Sequence, residues 1–302
     1  MRTFVTLLLS LFLCMPMLVA QQSEVLLFIS DTQQPMLIET IRLKTQENER
    51  MTQRLFTMMA KETTAAALFH LGDITSMGMM NSYWRSFDTL RTMLPFPVHA
   101  AFGNHEYFFV PSWGKEQMLK RFPSLDPSWY VKQHGRTAVI VLNSNFDRLS
   151  DEEKERQERW YRQTLTSLES DSTVTAVIVS CHHSPLTNSS IVSPNEDVQR
   201  TFVRPFVGTR KGKAFLSGHA HTREYFRLEG KDLFVIGGGG GLQQPLKDTS
   251  DAEWIGEKIV QRQFFHYVRC ELRNDALLFQ IVMLKEDGTD AEIVQTVTIP
   301  LP

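Results

Sequence analysis

Six side chains that can bind metal ions are spread through this 302-residue chain: Asp31, Asp73, Asn104, His183, His219 and His221. Aspartate and asparagine offer oxygen, and neutral histidine offers an imidazole nitrogen. That donor set suits manganese, iron or zinc and needs no cysteine thiolate. A carboxylate such as Asp73 can bridge two ions. Divalent ions about 3.5–4 Å apart acidify water, so that hydroxide forms at neutral pH, and they clamp a phosphoryl group for in-line attack. With ligands that are mostly neutral, two such ions keep a positive field. That field attracts a phosphate ester and stabilises the charge growing on its oxygens.

Each of these residues follows a stretch that reads as a strand. Val25–Ile29 precedes Asp31, and Ala65–His70 precedes Gly72-Asp73. Residues 98–102 lead to Asn104, 174–181 to His183, and 214–216 to His219 and His221. In α/β sheets, sites form from loops at the carboxyl ends of strands, so residues far apart in sequence converge there. Helical patterns lie between the strands, over 38–61 and 83–93, and from the capping-box sequence Ser150-Asp151-Glu152-Glu153 to about Leu168. Residues 137–142 and 233–236 add strands. After Gln261 the chain turns β-rich, with a hairpin predicted at Arg273-Asn274-Asp275-Ala276. Strands alternating with helices predict an α/β layer architecture finished by antiparallel strands. No composition break divides the chain, so a single domain over 21–302 is expected.

Five segments, in order, resemble the motifs of calcineurin-like metallophosphoesterases: Asp31-Thr32-Gln33, Gly72-Asp73, Gly103-Asn104-His105-Glu106, His183-Ser184-Pro185 and Gly218-His219-Ala220-His221. Gly-Asn-His-Glu and Gly-His-x-His are specific signals, whereas Gly-Asp and Asp-x-Gln are weak alone. The resemblance implies a four-layer α/β/β/α sandwich of two mixed β-sheets flanked by helices. It further implies a centre of two divalent ions, manganese, iron or zinc, with magnesium as a harder option. By the same resemblance Asp31 and His221 hold the first ion, Asp73 bridges, and Asn104, His183 and His219 hold the second. His105 faces the phosphate as the catalytic group, stabilising charge or protonating the leaving group. His183 is selected over His182 because it stands two residues before proline. Two residues depart from the pattern. Gln33 occupies a position that is usually histidine. Its amide oxygen can ligate, but as a weaker partner for a borderline ion. Ser76 stands where purple acid phosphatases carry a tyrosine ligand, so no tyrosinate–iron colour is expected.

The implied activity is phosphoester hydrolysis by metal-activated hydroxide. A phosphomonoesterase is favoured over a phosphodiesterase acting on nucleotide, lipid or cell-wall diesters. A non-catalytic module on the same fold is the reading from another class. Residues 107–122 and 184–197 are expected to form pocket loops, with Phe108, Phe109 and Trp113 as apolar walls. The glycine run 237–241 reads as a tight turn near the metals, since no P-loop lysine follows it. A hydrophobic fraction of 42% supplies a sizeable core, and a net charge of −2 gives no basic face for a nucleic-acid polymer. Arg2 followed by the apolar run 4–20 reads as a signal peptide over 1–20. A secreted or periplasmic protein with no membrane anchor after cleavage is therefore expected. Cys181 and Cys270 sit in apolar runs and read as buried thiols.

Overall fold

The computed structural model describes residues 25–36, 47–248 and 265–301. The predicted signal peptide and residues 38–46 of the first predicted helix lie outside them. The apolar run Val25–Ile29 forms β1, with every side chain buried. Its residues divide by parity. Val25, Leu27 and Ile29 pack with Met51, Leu55, Phe56 and Met59 of helix α1 (Glu47–Met59). Leu26 and Phe28 face a second core that also holds Val139, Ile178, Leu216 and Phe279. A strand covered on both faces reads as an unbroken apolar run, which is why β1 was legible.

Two six-stranded sheets share that second core. In the first, β2 (Ala65–His70) and β3 (Val98–Ala100) run parallel to β1 on one side. On its other side β10 (His266–Leu272), β11 (Ala276–Leu284) and β12 (Ala291–Pro300) add antiparallel strands. The second sheet has the order β4-β5-β6-β7-β9-β8. Its centre is parallel: β5 (Thr137–Val141), β6 (Ala176–Ser180), β7 (Gly212–Ser217) and β9 (Lys231–Ile236). The edges, β4 (Tyr130–His134) and β8 (Arg223–Leu228), are antiparallel.

Helices α2 (Asn81–Arg91) and α3 (Pro111–Arg121) join α1 on the outside of the first sheet, through Trp84, Phe87 and Met118. Helix α4 (Asp151–Ser170) covers the second sheet, with Tyr161, Leu165 and Leu168 against Ile140 and Val179. The Tyr161 hydroxyl donates to the Phe202 carbonyl at 3.0 Å, tying α4 to a short helical run over 196–207. The layers are therefore α/β/β/α, as the motifs implied. The capping box closes the start of α4: Ser150 Oγ accepts from Glu153 N at 3.2 Å, and Ser150 N donates to Glu153 Oε2 at 2.9 Å.

The sequence reading missed β4, β8 and β12. All three are edge strands. Polar and charged residues such as Lys132, Gln133, Glu292, Gln295 and Thr296 break up β4 and β12, so neither shows the apolar run that marks a buried strand. The predicted pocket loop 107–122 is mostly helix α3, which starts at Pro111, where proline's fixed φ suits the first turn. Cys181 and Cys270 are free and lie in different core layers. Among the described residues no helix is long and apolar enough to cross a membrane.

Phe28 faces the core between the two sheets and stacks on Phe69 of the neighbouring strand, with ring centroids 5.3 Å apart. Phe28→Ala is expected to cost about 3–5 kcal/mol, because neighbours on two rigid sheets cannot collapse into the gap. Urea unfolding would show this as a lower midpoint with an unchanged slope. A midpoint within error of the wild type would mean that the core repacks freely there.

Candidate metal centre

Both sheets present the carboxyl ends of their parallel strands to one edge, and the candidate residues lie in the loops there. Asp31 follows β1, Asp73 follows β2 and Asn104 follows β3. From the other sheet His182 and His183 follow β6, while His219 and His221 follow β7. Backbone bonds lock the loops together. Asp31 N donates to the Gly72 carbonyl at 3.1 Å, Gln33 N to the Asp73 carbonyl at 3.1 Å, and Gly218 N to the His182 carbonyl at 2.8 Å. The Asp31 carboxylate spans the sheets by accepting His219 N–H at 3.0 and 3.1 Å. The glycine run lies against the first loop, with Gly239 N on the Ser30 carbonyl at 2.9 Å and Gly241 N on the Asp31 carbonyl at 2.8 Å.

Three imidazoles are held in the same way. Nδ1 of His182 meets the Leu71 carbonyl at 3.0 Å, Nδ1 of His221 meets Leu242 at 2.7 Å, and Nδ1 of His105 meets Ser76 at 2.9 Å. A carbonyl only accepts, so each Nδ1 carries a proton and each ring turns its Nε2 inward. There the Nε2 atoms meet carboxylate and amide groups. His182 Nε2 lies 3.0 Å from Asn104 Oδ1 and 3.3 Å from Asp73 Oδ2. His221 Nε2 lies 3.6 Å from Asp31 Oδ1 and 3.1 Å from the inward-facing amide atom of Gln33. The possible ligand atoms of His182, His183 and His219 lie within 4.8 Å of one another, as do those of Asp31, Asp73 and His182. Imidazole nitrogens and carboxylate and amide groups converging at such distances in a buried place suit a pair of cations.

Protonation in the metal-free protein follows the same geometry. Burial would raise Asp73, but His182 and His105 hold its carboxyl well below the usual range. Burial would lower His182, yet Asp73 brings it up to about 9. His183 falls to about 3, through burial and then its neighbour His182. Burial, with His183 and His182, also pushes His219 well down. The metal-free site thus holds a proton on His182 and leaves two neutral imidazoles beside it.

The structure brings Asp31, Gln33, Asp73, Asn104, His183, His219 and His221 together, His183 in one cluster of ligand atoms with His182 and His219. At the fourth motif His182 also reaches Asp73 and Asn104. Strand parity explains this. On β6, Ile178 faces the inter-sheet core and Val179 the helices. Counting on, Cys181 packs toward the helices and His182 turns toward the first sheet. His183 instead places Nδ1 2.9 Å from Ser144 Oγ. Sequence reading missed Ser144, although the polar run Asn143-Ser144-Asn145 after β5 was a signal. It also gave Glu106 no role. This buried carboxylate accepts N–H groups of Gly103 at 2.7 Å, Ile74 at 2.8 Å and Asp73 at 2.9 Å, stapling two ligand loops. Burial and the Asp73 charge raise it to about 7. Phe108 lies 5.6 Å from the His105 ring, and Phe109 beyond it is 69% exposed, giving the pocket rim an apolar wall.

The family model described as calcineurin-like phosphoesterase matches residues 25–223. The chain belongs to that family. By family it is a metal-dependent phosphoesterase, and the family uses a dinuclear metal centre. Solved structures of low identity share the fold. A purple acid phosphatase from yellow lupin (Lupinus luteus) seeds superposes with a TM-score of 0.66 at 16% identity, covering 92% of this chain and 54% of that one. This chain thus spans about half the length of the lupin enzyme. A dimetal phosphatase from Danio rerio gives 0.61 at 14%, covering 92% and 99%. GAP50 of Plasmodium, described as the anchor in the inner membrane complex, gives 0.70 at 11%, covering 93% and 90%. No curated protein sequence matches the chain.

The Glu106 staple gives a direct test. Glu106→Gln replaces one acceptor oxygen with an amide that faces N–H donors, so it is expected to cost about 2–3 kcal/mol of stability. Chemical denaturation measures the loss, and unchanged stability would mean that the loops hold without the carboxylate.

Proposed function

We propose that the protein is an exported phosphomonoesterase that works with two divalent cations. Asp31, Gln33 and His221 hold one cation, Asn104, His182 and His219 hold the other, and Asp73 lies between them. The observation that carries this assignment is His182 Nε2, directed at both Asn104 Oδ1 and Asp73 Oδ2. The sequence reading took His183, which lies in the same cluster of ligand atoms with Ser144 at its Nδ1. The cations would supply a positive field for the phosphoryl oxygens and acidify water.

The chain's own residues do the rest. Asp73, His182 and Asn104 orient the second position, and the backbone carbonyls behind the rings keep every Nε2 aimed inward. His105, held by the Ser76 carbonyl with Nε2 3.8 Å from Asp73 Oδ2, stands beside the site to steady charge on the phosphoryl group or to protonate the leaving oxygen. Export is supported by the charged and apolar character of residues 1–20. The monoesterase reading rests on the phosphatase-like Asn104-His105-Glu106. A diesterase is its close rival, and the Gln33 departure keeps a non-catalytic module in view.

Metal-stripped protein, given manganese, iron, zinc or magnesium singly, should hydrolyse a chromogenic phosphate monoester faster than the matching diester. Asn104→Ala and His182→Ala should abolish turnover, while His183→Ala should lose only about 10–100-fold, as a residue behind the ligands does. A diester preference would install the rival. Folded protein that is inert with every metal would favour the module.

A further inference from the structure

His105 begins a row of aromatic rings that runs from the metal centre to solvent. The Phe108 ring lies 5.6 Å from the His105 ring. The Phe109 ring lies 4.4 Å from that of Phe108, edge on at 62°. The row ends in water, because Phe109 is exposed, and so is Trp113 on the first turn of α3.

The backbone holds Phe109 outward under strain. Its φ is 63°, and Val110 N donates across it to the Phe108 carbonyl at 3.0 Å. That is a γ-turn of the rare hand, in which a bulky residue is an outlier. The segment is not free to relax. Glu106 is fixed by the N–H groups of Gly103, Ile74 and Asp73. Gly78 and Gly114 press on its carbonyl, where a Cβ would lie 2.4 and 1.7 Å from the oxygen. Pro111 opens α3 directly after Val110. Strained backbone persists where the surroundings over-determine it, and it clusters at ligand sites.

The place of the row gives that strain a use. His105 stands beside the oxygen that leaves phosphorus. Whatever that oxygen carries must extend away from the cations, and on this side the wall is Phe108 and Phe109. A flat aromatic group stacks on such rings, offset or edge on. A small polyol gains nothing there, since its hydroxyls would lose water without a partner.

We infer that Phe108 and Phe109 form a platform for the leaving group, and that the protein hydrolyses phosphate esters whose leaving group carries a flat aromatic ring, joined to the phosphate directly or through a sugar. This rests on the phosphoester-hydrolase reading above, with His105 beside the leaving oxygen. A lipid surface also takes up exposed aromatic rings, but the continuity of the row with His105 favours the substrate.

The test compares ratios, because aryl phosphates are intrinsically more reactive than alkyl ones. Metal-restored protein is assayed with naphthyl phosphate, adenosine monophosphate and glycerol phosphate, and with the methyl diester of each. In Phe109→Ala, kcat/KM for an aromatic ester relative to the glycerol ester should fall about 5–10-fold from the wild-type ratio. Phe109→Trp should keep the ratio. The larger fall, naphthyl or adenosine, tells whether the ring is joined directly or through the sugar. Phe109→Gly should lower the ratio as far without lowering the thermal midpoint, since glycine suits the turn. A ratio that does not move in folded Phe109→Ala, whether every ester is lost equally or none is, would overturn the proposal. If that variant also loses binding to phosphatidylcholine–phosphatidylglycerol vesicles that the wild type shows, the rings belong to a membrane contact instead. Wild type inert toward every ester would overturn the hydrolase reading itself, a separate failure.

Discussion

Asp73 is a buried carboxylate held ionised by groups from both sheets. His182 approaches it from the end of β6, and the backbone N–H of His105 donates to its Oδ1 at 2.9 Å from the loop after β3. A buried carboxylate without such partners would be protonated. Each partner arrives on a different parallel strand. The two sheets must therefore pack face to face with their parallel carboxyl ends at one edge, and the central apolar core enforces that alignment. Moving one sheet against the other by a residue would separate the carboxylate from the imidazole that charges it.

The same constraint explains where the backbone departs from common conformations. Asp31, Asp73 and His219 all have positive φ, at 60°, 50° and 64°. Left-handed backbone costs a non-glycine residue about 1 kcal/mol or more. At each of these positions the bend turns a strand end abruptly and aims its side chain into the site. Glycines make the contacts close enough. A Cβ on Gly72, itself at φ 100°, would lie 2.6 Å from Gly103 N and 2.9 Å from His182 Nδ1. Local strain and missing side chains thus let three loops and two imidazoles share one small volume.

Much of this was legible beforehand, for definite reasons. Strands covered on both faces are unbroken apolar runs, so β1, β2, β5 and β6 announced themselves, and their loops carried the candidate ligands. The edge strands β4 and β12 escaped because half-exposed polar positions interrupt the apolar pattern. That His182 as well as His183 lies at the site depends on which parity of β6 faces the other sheet. That is a tertiary fact, which counting back from Pro185 cannot supply. The amide of Gln33 was visible as an oddity of composition. Its orientation depends on carbonyls at Asp31 and Asp73, 42 residues apart in sequence, meeting around it. Glu106 stood in a motif but had no legible role, because its partners are backbone groups without sequence identity.

The register of the first sheet bears on how the protein comes into being. β1 is the first described strand, and one of its two neighbours is β10, with Val25 opposite Glu271. The strand that leads into Asp31 therefore has an open edge until residues 266–272 have left the ribosome. Pairings across such sequence distances form late, because the entropy of closing the loop must be met before the contact repays it. The site is correspondingly a product of late synthesis, and a chain that stops short of β10 presents β1 as a sticky edge instead of a finished ligand loop.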